Sequence, residues 1–215
     1  GGFTMRLGNR VLLSSMLGKA FPGIDAAGET EALIALDKLD KIGVDGVCEL
    51  LGKIPGASSE SARALIACLQ SRDSSGGTDR SKIRDYLGPN EQALQELVRM
   101  ESILSVLGEV SSRVEGGSIR LDMSIARGLG YYTGVVFETT LDGLPGFGSI
   151  SSGGRYNNLA ERFTNRSLPG VGGSIGLDRL LAGMEELGKV GIQKSNLVFI
   201  AVATEDALNA ALLMA

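Results

Sequence analysis

Five side chains in this sequence suit a small charged substrate, and each stands among glycines. Arg127, Tyr131 and Tyr132 lie in Arg127-Gly128-Leu129-Gly130-Tyr131-Tyr132-Thr133-Gly134, and Tyr156 ends Ser152-Gly153-Gly154-Arg155-Tyr156. Arg179 follows a third glycine-rich run, Gly170-Val171-Gly172-Gly173-Ser174-Ile175-Gly176-Leu177-Asp178. An arginine offers a planar, permanently charged fork matched to a carboxylate or a phosphate. Tyrosine rings and hydroxyls can wall a polar pocket, and glycines let a ligand or a neighbouring strand approach the backbone. The same residues also fit a glycine-rich hairpin whose tyrosines fill a sheet core.

Composition narrows the chemistry. The 215 residues contain no histidine and two cysteines, Cys48 and Cys68. Ser-His and Cys-His relays are therefore excluded, and no zinc-type cysteine spacing exists. The cysteines fall in helical patterns and read as buried free thiols. A net charge of -4 argues against broad nonspecific nucleic-acid binding, though a local basic patch remains compatible with RNA. No run approaches the roughly 18 apolar residues of a membrane span, and the glycine-led start has no signal-peptide pattern. The expected location is the cytosol.

The elements that must position these residues follow from periodicity. Gly2 to Leu7 reads as a strand, and Asn9-Arg10 opens a helix closed by Phe21-Pro22-Gly23. From about Thr30 to Val114 the pattern is helical, with Leu33, Leu36, Leu39 and Ile42 as one apolar series. Ser58 to Glu60 and Pro89 start further helices, and Asp73 to Asp79 reads as a flexible loop. Strands are expected at Ser118 to Ile125, Val135 to Leu141, Ser149 to Ser152 and Gly170 to Ile175, with the Ser152–Tyr156 glycines in a loop. Short connections between them imply antiparallel pairing. Glu138 could face a cleft or solvent. Helices are expected at Asn158 to Phe163 and Leu177 to Leu187, and a strand and helix within 196–215.

The first glycine-rich segment resembles the RG-L-x-YYTG signature of histidyl-tRNA synthetases, and Ser152–Tyr156 resembles their SGGRY signature. Gly170 to Leu180 resembles the third motif of class II aminoacyl-tRNA synthetases. Leu36-Asp37-Lys38-Leu39-Asp40-Lys41-Ile42-Gly43 is similar to a segment that follows the second motif in this family. The sequence departs from the pattern at Gly130, where Asp is common, and at Asn157, where Asp is usual.

The resemblance implies an α+β fold: a class II synthetase-like antiparallel sheet with flanking helices, a helical insertion lobe, and the first βα unit of a C-terminal α/β domain. Residues 1–29 would be part of the catalytic domain and 30–114 the insertion domain that helps grip the acceptor arm of tRNA. Residues 115–190 would be the C-terminal half of the catalytic domain, and 191–215 the start of the anticodon-binding domain. The family's first two motifs would lie N-terminal to the matched segment, leaving half of the ATP site outside it. The implied activity is histidine–tRNA ligation, with histidine, ATP accompanied by Mg2+, and tRNA(His) as partners and a homodimer as the full-length assembly. Arg127 would be catalytic at the α-phosphate and the substrate carboxylate. Tyr131, Tyr132, Tyr156, Gly153 and Gly154 would hold histidine, while Gly172, Gly173, Ser174 and Arg179 would join Arg127 at ATP. Arg155 either binds ligand or braces its turn, and Asp178 reads as structural. The competing reading is a synthetase-like regulatory subunit of ATP phosphoribosyltransferase.

Overall fold

The computed structural model describes residues 2–126, 128, 131–158, 161, 164–166 and 168–189. Strand β1 (Phe3–Asn9) leads straight into helix α1 (Arg10–Ala20) because Asn9 serves both. Its backbone is extended, and its buried side-chain oxygen accepts from the amides of Val11 at 2.8 Å and Leu12 at 3.1 Å. Two of the helix's orphan donors are thereby satisfied. Leu12, Leu13, Met16, Leu17 and Ala20 bury one side of α1, and fully buried Phe21 closes it.

Helices α2 (Ala26–Leu36), α3 (Leu39–Leu51), α4 (Ser59–Gln70), α5 (Arg80–Leu87) and α6 (Glu91–Ser111) follow. The side chains of Asp25, Ser58, Asp79 and Asn90 cap α2, α4, α5 and α6. All but α3 pack directly on α1, so Leu33, Leu65, Leu69, Ile83, Leu97 and Met100 join Leu12 and Met16 in one buried cluster. The expected single apolar series from Leu33 to Ile42 is interrupted. Asp37 and Lys38 separate α2 from α3, and Gly43 sits at φ +70°, a left-handed backbone that kinks α3 and leaves Ile42 exposed.

The chain then returns to a five-stranded sheet through β2 (Gly117–Leu121), β3 (Val135–Leu141), β4 (Ser149–Tyr156) and β5 (Gly170–Ile175), followed by α7 (Leu177–Glu186). The spatial order is β2-β1-β3-β4-β5. The sheet is mixed and not purely antiparallel: β2 runs parallel to β1, and the other pairs are antiparallel. The six helices between β1 and β2 supply the long crossover that parallel neighbours need. β1 also lies between β2 and β3, so the expectation that successive strands pair fails there.

Two further boundaries differ from expectation. β2 stops at Leu121 because Asp122 turns the chain, its Oδ1 accepting from the Ser124 amide at 3.0 Å and the Ser124 hydroxyl at 2.5 Å. Ser152–Tyr156 is strand throughout, not a loop. The Asp73–Asp79 segment is also tied down. Asp73 Oδ1 accepts from the amides of Ser75 and Gly77, and fully buried Thr78 bonds the Leu121 carbonyl and the Met123 amide. The expected helix at 158–163 falls largely, and the strand and helix within 196–215 wholly, outside the described residues. Among the described residues no helix is long and apolar enough to cross a membrane.

Candidate functional site

Directly paired residues of neighbouring strands project to one side, so the register sorts the sheet into two faces. Leu7, Phe137, Gly153 and Gly173 form one row, and Arg6, Glu138, Ser152 and Ser174 the next, on opposite sides. Leu7 and Phe137 belong to the helical core, so their face is the packed one. The Arg6 face carries the polar residues.

The glycines divide the same way. A side chain at Gly154 would meet the Tyr132 ring at 2.8 Å, and one at Gly170 or Gly172 would meet Tyr156. Both rings therefore lie on the polar face, seated in space that only glycine leaves open. Gly153 and Gly173 instead admit the Phe137 ring on the packed face, with a side chain at Gly173 only 2.7 Å from Phe137 Cζ. Their proposed contact with histidine and ATP would have to come through backbone atoms.

The segment carrying the tyrosines arches across one end of the polar face. After Asp122, whose amide bonds the Leu7 carbonyl at 2.7 Å, Ile125 crosses β1 at Gly8, where a side chain would stand 3.3 Å from Ile125 Cβ. Gly128, at φ +72°, then starts a turn whose carbonyl accepts from Tyr131 at 3.2 Å and Tyr132 at 3.1 Å. Only glycine suits both that backbone and the Tyr132 ring packed on it. Thr133 ties the segment to β4: its amide bonds the Arg155 carbonyl at 2.8 Å, and its hydroxyl accepts from the Asn157 amide at 3.0 Å. Arg127, Leu129 and Gly130 lie outside the described residues.

Tyr131 and Tyr132 stack tilted, with ring centroids 4.3 Å apart. Burial, reinforced by the bonded Tyr131 neighbour, pushes the Tyr132 phenol up to about 12, so it is neutral at ordinary pH and able to donate or accept. Arg155 is exposed and braces its own strand end, Nε donating to Asn157 Oδ1 at 3.1 Å. Asn157 thus fills by an amide the role expected of a carboxylate.

Arg179 lies near the other end of β4, on a helix whose Gly183 packs against Leu141, on the Phe137 side of the sheet. It opens α7 and donates from Nη1 to the Ser149 carbonyl at 2.9 Å. Ser149 and Tyr156 are the two ends of β4, seven residue steps apart, about 23 Å at the usual strand rise. A cleft of about 750 Å³ lies at Arg179's end, lined by Thr4, Arg6, Lys41, Arg120, Thr140 and Ser149 among others. Ser174 is exposed in the row between the two ends.

Sequence patterns alone left several residues of this face unassigned. Arg6 forms ion pairs with Glu138 and, at 3.3 Å, with Asp122 Oδ2, and both carboxylates are buried. Glu138 thus lies on the polar face but is shielded from solvent. Arg10, whose amide bonds the Gly134 carbonyl at the loop's exit, pairs with Glu29 at 3.1 Å. Burial lowers the Arg10 pKa and Glu29 partly offsets it. The alternation of Thr4, Arg6 and Gly8 was the available signal, but it gives no partner without the register.

Comparison with known proteins agrees with this architecture. The family profile described as histidyl-tRNA synthetase matches residues 1–180. The chain is 42% identical over 199 residues to a histidine–tRNA ligase of Rhodopirellula baltica, covering 92% of this chain and 44% of that protein. It is 37% identical over 208 residues to the ligase of Wolinella succinogenes, covering 96% and 46%. The crystal structure of histidyl-tRNA synthetase from Nostoc sp. PCC 7120 superposes with a TM-score of 0.75 at 29% identity, covering all of this chain and 49% of that one. A Bacillus halodurans structure titled as an ATP phosphoribosyltransferase regulatory subunit/histidyl-tRNA synthetase shares the fold, with a TM-score of 0.66 at 21% identity over 85% of this chain and 44% of that one. The chain spans about half the length of the curated relatives it matches.

Proposed function

Since the chain belongs to the histidyl-tRNA synthetase family, we propose that it supplies the histidine-binding half of a histidine–tRNA ligase site. In the activation step the histidine carboxylate attacks the α-phosphate of ATP, an acid-anhydride bond forms, and pyrophosphate leaves. The 3′-terminal hydroxyl of tRNA(His) then attacks the activated carbonyl, and AMP leaves. Neither step needs a histidine base, because positioning and electrostatic stabilisation of the phosphoryl oxygens supply most of the rate.

The observation that carries this reading is the seating of Tyr132 and Tyr156 on glycines of neighbouring strands, on one face, with Thr133 joining their two segments. Tyr131, Tyr132 and Tyr156 would wall the imidazole, with the backbone at Gly153 and Gly154 completing the floor. A neutral Tyr132 phenol can bond either nitrogen of a neutral imidazole. Arg127 would bridge the substrate carboxylate and the α-phosphate. Gly172, Gly173 and Ser174 would lie against the nucleotide, and Arg179 would reach its terminal phosphate, with Mg2+ carried by the phosphates themselves. The division into parts of a catalytic domain, an insertion domain over 30–114 and an anticodon-binding domain from 191 belongs to the same proposal, as do a homodimer and a cytoplasmic location.

Histidine-dependent ATP–pyrophosphate exchange tests the reading. The 215-residue chain alone should turn over little, whereas the same residues within a protein of the family's full length should support exchange that other amino acids do not. Histidine binding without exchange in the longer protein would favour the regulatory-subunit alternative.

A further inference from the structure

Two buried carboxylates, Glu138 on β3 and Asp122 just past β2, share one cation, Arg6 on β1. Asp122 divides its oxygens between two tasks. Oδ2 meets Arg6 Nη1 at 3.3 Å, and Oδ1 holds the amide and hydroxyl of Ser124. A charge-assisted chain therefore runs from the middle of the sheet, through Glu138, Arg6 and Asp122, to the turn where the tyrosine segment begins. Ser124, Ile125 and Ala126 close over a gap of about 40 Å³ whose other walls include Arg6 and Glu138. Apart from the Ser124 bonds to the Asp122 carboxylate, the described hydrogen bonds from Met123 to Ala126 are the Met123 amide to the Thr78 hydroxyl and the Ile125 amide to the Asp122 carbonyl.

We propose that Arg6 is a positioning residue that fixes where the tyrosine segment leaves the sheet, and so sets the pocket that the proposed function assigns to histidine. Its fork geometry is what the role requires. One Nη reaches Glu138 and the other reaches Asp122, which a lysine point charge cannot do at once. Asp122 is then held in the one orientation that leaves Oδ1 for Ser124. With Arg6 removed, the buried Asp122 carboxylate loses the cation at its Oδ2, and it is driven to turn outward and release the turn.

The test uses Arg6→Lys, Arg6→Met and Asp122→Asn in the whole chain. Asp122→Asn keeps an acceptor for Ser124 but turns a donor toward Arg6. Amide exchange is read at Tyr131, Tyr132 and Thr133, whose bonds to the carbonyls of Gly128 and Arg155 lie beyond the substituted residues, and at Phe137 and Gly153 as sheet references. The expected result is about tenfold faster exchange at the three loop amides with unchanged sheet amides. Arg6→Lys should be intermediate. Histidine titration, followed by the fluorescence of a chain with four tyrosines and no tryptophan, should shift to about tenfold higher concentration. Loop amides unchanged, or loop and sheet amides accelerated together, would overturn the proposal. If Arg6→Met does not fold, Asp122→Asn decides by the same criteria. A wild-type chain that gives no histidine response would count against the histidine assignment alone, because the exchange comparison does not depend on it.

Discussion

On its packed face the sheet presents Leu7, Phe137, Gly153 and Gly173, and on its polar face Arg6, Glu138, Ser152, Gly154, Gly170 and Gly172. Both faces place aromatic rings on glycines, yet the rings differ in what lies above them. Phe137 packs against the helical core, and a β-carbon at Gly153 would meet the backbone of Gly172 and Gly173 as well as that ring. Tyr132 and Tyr156 lie over theirs on the half-open side, able to swing away. The lesson is that one residue type in one motif can seat a core ring at Gly153 and a tyrosine of the polar face at Gly154.

Four experiments bear on that contrast. The largest effect belongs to the tyrosine segment: Arg127→Lys within a full-length enzyme should slow histidine activation by about 2.7–4 kcal/mol if it acts like one removed oxyanion donor. Its melting temperature should stay near that of the parent, and normal single-turnover adenylate formation would remove Arg127 from the chemistry. Next comes Gly153→Ala. Its new methyl collides with the Gly172 carbonyl and Phe137, so urea unfolding should reveal a loss of about 1–3 kcal/mol, and an unchanged midpoint would mean that the packed face is looser than described.

Gly170→Ala sharpens the comparison from the other side. Only the Tyr156 ring must move, so the stability loss should stay below about 1 kcal/mol while histidine affinity falls. Equal stability losses for the two alanines would erase the distinction between the faces. The smallest effect concerns pH. Burial pushes the Cys68 thiol up from 9.0 to about 11, so the folded state holds its proton longer than the unfolded chain. That contribution is complete below pH 9.0 and is lost as pH rises to about 11, with a slope of at most about 1.4 kcal/mol per pH unit. Tyr132 and Tyr86 continue the decline from 10 to about 12, and Cys68→Ala should flatten only the lower part of the curve.

How much was legible beforehand varied with the range of the interaction. Local signals sufficed for α1 and its cap at Asn9, for the Ser58 start of α4, for β3, β5 and α7, and for the buried free thiols. They failed at Gly43, whose left-handed backbone a helical apolar series conceals, and at Asp73–Asp79, where Thr78 adds bonds to residues some 45 positions away to the local bonds of Asp73.

The sequence by itself determined most of the strands and helices, and which three glycine-rich runs resemble the family's signatures. Both are properties of short windows, where side-chain type and spacing act directly on the backbone. Only the tertiary structure decided that β2 lies parallel beside β1, that Gly153 and Gly154 serve opposite faces, and that Arg6 joins Glu138 to Asp122. Each of those depends on strand register. A shift of one residue would turn Arg6 into the core and Leu7 into the cleft, so such pairings are set by packing the whole sheet against its helices.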